Sequence, residues 1–154
     1  MSYLSWCKRT EQDLASEDIA AVNLAVAQGL PRAQNLDIPA LLDRLDHWAD
    51  AIRQATGKAL VRRATRRDYP GMSSAMFRMF TFVEVLRHKF GVTYNLPFSE
   101  GNYDARDSRN HFLHGLLTGH GGTCVTMPIL YVALDRRLGY PLKLVLAKSH
   151  IFCR

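Results

Sequence analysis

Cys124 follows Gly121-Gly122-Thr123 and opens an apolar stretch that runs to Leu138; twenty-six residues further on stands His150. A thiol at the start of a helix sits among unsatisfied backbone N–H groups and the positive end of the helix dipole, both of which favour the thiolate. A histidine within reach can take the thiol proton and leave a thiolate–imidazolium pair, the nucleophile of acyl-transfer chemistry. The glycines before the cysteine let backbone come close and leave the sulfur uncovered. A tetrahedral intermediate also needs donors for its oxyanion. The Cys124 N–H is the natural first one, and Asn110 and Thr123 are candidates to complete the hole or position substrate. The opposing reading makes Cys124 a small buried apolar residue, the common fate of cysteines.

Three elements have to position this pair. Val125 to Leu138 reads as a helix: Pro128 falls in the first turn, where no intrahelical N–H is needed, Arg136 and Arg137 complement the last turn, and Gly139 ends it. Tyr140-Pro141 breaks the chain, Leu142 to Ala147 reads as a strand, and Lys148-Ser149-His150 leads into a second one. In that strand His150, Phe152 and Arg154 share one face, and Ile151 and Cys153 the other. Upstream, Ser108 to Thr118 reads as a helix closed by Gly119-His120-Gly121-Gly122.

The N-terminal part reads as helical. A first helix spans Ser16 to Gln28, capped by Ser16, with Ile19, Val22, Leu24 and Val26 as its apolar stripe. A second starts at Asp37-Ile38-Pro39, carries Leu41, Leu42, Leu45, Trp48 and Ile52 at helical spacing, and stops at Gly57. Lys58 to Asp68 reads as a basic connection punctuated by Tyr69-Pro70-Gly71. A third helix, Ser74 to Lys89, has Met76, Phe77, Phe80, Val83 and Phe90 as its buried stripe, a reading that favours core packing over a cofactor pocket. Val92 to Pro97 reads as an extended connector and Phe98 to Ser108 as a polar loop.

Bulk properties narrow the classes. The 154 residues fit one domain, and 47% apolar with 22% charged residues is a globular composition. No apolar run reaches the ~20 residues of a membrane helix. The polar N-terminus lacks a secretory leader, so the expected location is cytoplasmic. Three widely spaced cysteines, Cys7, Cys124 and Cys153, make no disulfide framework. The net charge of +6 is concentrated in Arg62, Arg63, Arg66 and Arg67 without interleaved aromatics, which favours a solvated basic segment over a nucleic-acid platform.

The run from Gly121 to Arg154 resembles the core of the transglutaminase-like superfamily, in a bacterial branch. The likeness lies in the Gly122-Thr123-Cys124 opening, Leu130-Tyr131, Arg137-Leu138-Gly139-Tyr140-Pro141 and the His150-x-Phe152-x-Arg154 ending. Upstream, Asn110-x-Phe112-Leu113 extends it, so that it covers roughly Tyr103 to Arg154, about a third of the chain. The resemblance implies an α+β, papain-like core: a nucleophile helix packed on an antiparallel sheet, in a single domain over 1–154. Residues 1–97 would be its mainly helical portion and 98–154 its Cys-His core. It implies a Cys-His-Asp triad with Cys124 as nucleophile and His150 as general base, acting on a protein, peptide or small-amide substrate without cofactor or metal. The third member belongs on a strand beyond Arg154; Asp104, Asp107 and Asp135 all occupy non-matching positions. A sheet that stops at Arg154 is incomplete, and its exposed edge invites self-association.

Two other classes compete. A non-catalytic interaction module on the same fold would explain the missing acid. A zinc site could draw on His111, His114, His120 and Cys124, with His150 and Cys153 as further ligands, although these spacings lack the paired short spacers of common structural sites.

Overall fold

The computed structural model describes residues 8–66, 71–101, 104–148 and 150–154. Cys7, Arg67, the Tyr69-Pro70 turn, Tyr103 and Ser149 therefore lie outside the described residues. Among the described residues, seven α-helices precede a two-stranded antiparallel sheet: α1 (Glu11–Ser16), α2 (Ile19–Ala27), α3 (Ile38–Arg66), α4 (Ser74–Phe90), α5 (Leu96–Ser99), α6 (Leu113–Leu117), α7 (Thr126–Leu138), β1 (Leu144–Ala147) and β2 (His150–Cys153). A 3-10 turn, Ser108–Asn110, precedes α6. The mixture is α+β, with the helices far outweighing the sheet.

The helix ends show which local signals won. Asp18, not Ser16, caps α2, its carboxylate accepting from the Ala20 N–H at 2.8 Å; Ser16 ends α1 instead. The buried face of α2 is Ala20, Leu24 and Ala27, while Val26 is exposed, so small residues let this helix sit close to its neighbours. Asp37 accepts from the Ala40 N–H at 3.0 Å at the start of α3, as expected. Gly57 does not stop α3, which continues for 29 residues to Arg66 and turns most of the expected basic connection into helix. An interior glycine costs a helix only ~1 kcal/mol, and the residues after it are mostly good helix formers.

A second departure divides the expected helix over Ser108 to Thr118. Phe112 is extended, at φ −128° and ψ 154°, between the 3-10 turn and α6. The Leu113 N–H, which a continuous helix would pair internally, donates to Asn23 Oδ1 of α2 at 2.8 Å. A side chain ninety residues away in sequence thus begins α6.

The core gathers Leu24, Leu45, Ile52, Phe82, Leu86, Leu113, Leu130 and Leu134 around α7, each fully or almost fully buried. At ~1.5–3 kcal/mol per buried large aliphatic or aromatic side chain, this cluster is the main favourable term. Aromatic pairs join the layers: Trp48 stacks on Phe90 at 4.8 Å, and Phe82 meets Tyr131 edge-on at 5.5 Å. On α4 the buried residues are Phe77, Phe82 and Leu86, whereas Met76, Phe80 and Val83 are exposed. The expected stripe on this helix is therefore corrected: only part of its apolar surface faces the core.

The C-terminal half of α7 is tied down by charge. The Arg137 guanidinium donates to Asp18 at 2.5 Å and Asp46 at 2.6 Å, and Arg53 donates to the Arg137 carbonyl at 2.8 Å. These bonds bring α2 and α3 to one helix end, a larger role than complementing a dipole. Gly139, at φ 73°, takes the left-handed conformation that closes α7 without the steric penalty of a Cβ.

The buried Asp135 then hands the chain to the sheet. Its Oδ2 accepts from the Leu142 N–H at 2.7 Å, just before β1. The strands pair Leu144 with Cys153, Val145 with Phe152, Leu146 with Ile151 and Ala147 with His150. Burial pushes the Asp135 carboxyl above its ordinary value, with the Leu142 N–H pulling against the rise, and its Oδ1 has no partner among the described residues. Replacing Asp135 with Ala should cost ~1–3 kcal/mol, the penalty for a donor left without its acceptor. Asp135→Asn keeps an acceptor and should cost clearly less in urea unfolding; equal losses would show that the Leu142 bond does not anchor the sheet.

Candidate functional site

The site is built from the start of α7 outward. Thr123 is fully buried. Its hydroxyl accepts from the N–H groups of Val125 at 3.3 Å and Thr126 at 3.2 Å and donates to the Asn110 carbonyl at 2.9 Å. Thr126 returns the bond, its hydroxyl oxygen accepting from the Thr123 N–H at 2.8 Å. This reciprocal cap satisfies the first turn from inside, so Cys124 lies at the helix start, half-buried and free of any disulfide. The expected placement of the thiol at a helix N-terminus matches the structure.

A feature absent from the linear reading covers this turn. Thr93, Tyr94 and Asn95, between α4 and α5, form a short strap against the glycine-rich turn. Asn95 N–H donates to the Gly122 carbonyl at 2.7 Å, and Gly122 N–H donates to the Thr93 carbonyl at 2.8 Å. Asn95 Nδ2 donates to the His120 carbonyl at 3.0 Å. Gly121 has φ +91°, and a Cβ there would lie 3.2 Å from the Asn95 backbone. The glycine thus makes room for the strap rather than for a substrate alone.

The strap delivers Tyr94 to Cys124. Burial pushes the Tyr94 phenol above its ordinary value, and the neighbouring Cys124 sulfur adds to the rise while the Cys124 N–H pulls against it. The tyrosine therefore lies close to Cys124. The only hint of this in the sequence is a β-prone Val-Thr-Tyr run, too short to stand out from a connector. A cleft of about 480 Å³ lies along the strap, lined by Tyr94, Asn95, Asp104, Asp107, Asn110 and His120 among others.

Beneath the turn is a polar layer. Asn110 is almost fully buried; its Oδ1 is 2.9 Å from His120 Nε2, and its Nδ2 donates to the Asp104 carbonyl at 3.0 Å. The Asn110 amide is engaged in holding His120 and the 104–110 loop. Asp107 forms a two-pronged pair with Arg109, whose hydrogen bonds bring its carboxyl down to about 2. His111 lies 3.2 Å from the Ala105 carbonyl, and His114 Nε2 lies 3.1 Å from Ser108 Oγ. Each of these histidines has its own protein partner, and no three described His, Cys, Asp or Glu side chains gather in a metal-binding group.

His150 opens β2 opposite Ala147. Ile151 and Cys153 are half-buried, while His150 and Phe152 are exposed. α7 packs on β2. Among the described residues no hydrogen bond links His150 to Cys124, and no carboxylate is paired with His150. The structure thus joins Asn110, Thr123 and His120 in one layer and Tyr94 to Cys124, with His150 separate at the strand start. Burial raises the Cys153 thiol above its ordinary value, unlike a thiol prepared for attack.

A family model described as the transglutaminase-like superfamily matches residues 40–154, well over half of the chain. This chain belongs to the transglutaminase-like superfamily, whose fold is in general that of a cysteine-dependent enzyme. The match extends the likeness upstream to include α3 and α4. No curated protein and no solved structure matches the chain. Among the described residues, no helix is long and apolar enough to cross a membrane.

The buried His114 sets a pH dependence. Ser108 Oγ donates to the Pro31 carbonyl at 2.5 Å, so His114 donates to Ser108 through Nε2 and its Nδ1 stays bare and unpartnered. Burial lowers the His114 pKa from 6.5, with Arg109 and His120 also opposing the charge and Asp107 favouring it. His120 is likewise lowered by burial. On acidification the unfolded chain binds these protons first, so stability is full above the ordinary 6.5 and is lost as pH falls below it. The melting temperature should fall between about pH 7.5 and 5.5, less steeply in His114→Gln. An unchanged slope in that variant would remove His114 from the account.

Proposed function

We propose that the chain is a thiol-dependent amide hydrolase or acyltransferase on a papain-like core. Its nucleophile is Cys124 and its general base His150. The observation that carries this reading is the thiol at the Thr123-capped start of α7, in a chain of this superfamily. The thiolate adds to an amide carbonyl carbon, and the Cys124 N–H donates to the resulting oxyanion. Collapse breaks the C–N bond, the His150 imidazolium protonates the leaving amine, and a thioester remains on the sulfur. Water or a second amine then attacks that thioester, with His150 taking its proton; the C–S bond breaks and returns the Cys124 thiolate, and the choice of acceptor separates hydrolysis from acyl transfer.

Two features of the resting geometry have to change. His150 must approach Cys124, a tightening that catalytic hydrogen bonds often show only once substrate is bound. Tyr94, close to Cys124, must leave room at the Cys124 N–H for the substrate oxygen. Thr123 and Asn110 position the turn from beneath. Protein, peptide and small-amide substrates all fit this chemistry.

A second reading, a non-catalytic interaction module, draws on the absence of any hydrogen bond or ion pair to His150 among the described residues. Alkylation separates the two because Cys153 is an internal reference. At about neutral pH, iodoacetamide should label Cys124 at least about tenfold faster than Cys153, and His150→Ala should reduce that ratio. Equal rates at the two cysteines would sink the activated-nucleophile reading. Turnover of an amide substrate that disappears in Cys124→Ala would exclude the non-catalytic module.

A further inference from the structure

The ends of α4 and α6 come together against the N-terminal half of α3. Gly91, at φ 66°, closes α4, and Thr118 closes α6. Between them lies a cleft of about 420 Å³, whose lining includes the cations Arg44 and Lys89 and the apolar side chains of Trp48, Phe90 and Val92. Thr93 and Gly121 line both this cleft and the one beside Tyr94, so it adjoins the strap. Each part of the lining is described, with at least four described residues of chain on either side of it.

Both cations are held in place, and each keeps donors to spare. Arg44 Nη1 donates to the Leu117 carbonyl, the last residue of α6. That bond leaves the Nε–Nη2 edge of the guanidinium, two parallel N–H donors, without a partner among the described residues. Lys89 Nζ lies over the Phe90 ring, 5.5 Å from its centroid, and Phe90 in turn stacks on Trp48. Among the described residues no carboxylate lines the cleft or pairs with either cation. On the same stretch of α3, Asp46 is engaged by Arg137, and His47, edge-on to Phe90 at 6.1 Å, adds no negative charge. Complementing the ends of α4 and α6 is the simplest duty for two cations. It occupies one Arg44 donor and leaves the forked edge unexplained.

We propose that this cleft binds a small organic carboxylate: one carboxylate on a compact apolar body. A guanidinium edge offers two N–H groups at the spacing of two carboxylate oxygens, a match that a lysine ammonium lacks. Lys89 supplies the second charge, and Phe90 and Val92, both half-buried, supply the apolar wall. The volume falls within the ~300–1,000 Å³ of small-molecule sites, which combine an apolar lining with a few convergent polar groups. Nothing in this proposal depends on the chemistry of Cys124.

Titration of the protein with phenylacetate, followed by heteronuclear NMR, tests it directly. Binding should saturate at one site with Kd below about 2 mM and should shift the amides of Gly91, Thr93 and Gly119. The neutral 2-phenylethanol and the cationic 2-phenylethylammonium should each bind at least about tenfold more weakly. Arg44→Lys keeps the charge but removes the fork, and should weaken binding at least about fivefold with circular dichroism and melting temperature retained. Lys89→Met disturbs no hydrogen bond and should weaken it about threefold, which keeps the test decisive if Arg44→Lys does not fold. The proposal is overturned by saturation at other residues or not at all, by equal binding of 2-phenylethanol, or by wild-type affinity in a folded Arg44→Lys. Inorganic phosphate saturating the same amides at equal or lower concentration would overturn it in favour of a plain anion site.

Discussion

Helix α7 has to begin inside the protein with its backbone donors satisfied, and the Thr123 hydroxyl is where that demand is met. It accepts from two N–H groups of the first turn and donates to the carbonyl of Asn110, all inside the protein. A cap of this kind fixes the entry of the chain into the helix without covering Cys124. It also joins the turn that carries Cys124 to the polar layer below, where Asn110 holds His120 and the 104–110 loop. If that hydroxyl were lost, the first turn would be left with unpaired buried donors, and the glycine turn would lose its floor. The strap that carries Tyr94 rests on the same turn from the other direction in sequence, through Gly122. Three distant segments therefore depend on one short cap.

The layer above is apolar and the layer below is polar, which divides the labour within α7. Leu130, Ala133 and Leu134 bury the helix in the core, while Asp135 and Arg137 direct the elements around its last turns. Asp135 sets where β1 starts and so where β2 and His150 lie. The imidazole's position is thus governed by a carboxylate fifteen residues earlier, on the helix whose other end carries the thiol. Small shifts at the Leu142 bond would alter the geometry of the pair without touching either member.

Much of this was legible in the sequence where the signals are local. Pro128 in the first turn and Gly139 past the last bound α7 correctly, and Asp37 and Pro39 mark the start of α3. The alternation in β2 places Cys153 and Ile151 together and His150 with Phe152. What could not be read depends on distant partners. The division of Ser108 to Thr118 comes from Asn23, and the strap at Tyr94 pairs with a turn nearly thirty residues on. Gly57 reads as a terminator, yet a lone glycine costs too little to end a helix whose later turns pack on α4. The stripe on α4 misled for another reason: Met and Phe indicate apolar surface, not which apolar surface the core covers. For the site, the place of Cys124 at a helix start was visible, whereas Tyr94 was hidden by its place in a connector.

The ties from Arg137 to Asp18 and from Arg136 to the Glu17 carbonyl span more than a hundred residues of chain. Contacts of that range form only after a long loop has closed, so they belong to late events in folding. On the ribosome, α2, α3 and α4 can pack on one another before α7 follows, and Cys124 has no formed helix start before then. The order of assembly therefore gives that sulfur its environment only when the N-terminal helices have met. A chain arrested before α7 would lack both the Leu130, Ala133 and Leu134 share of the core and the turn that carries Cys124, which couples the completion of the fold to the setting of that thiol.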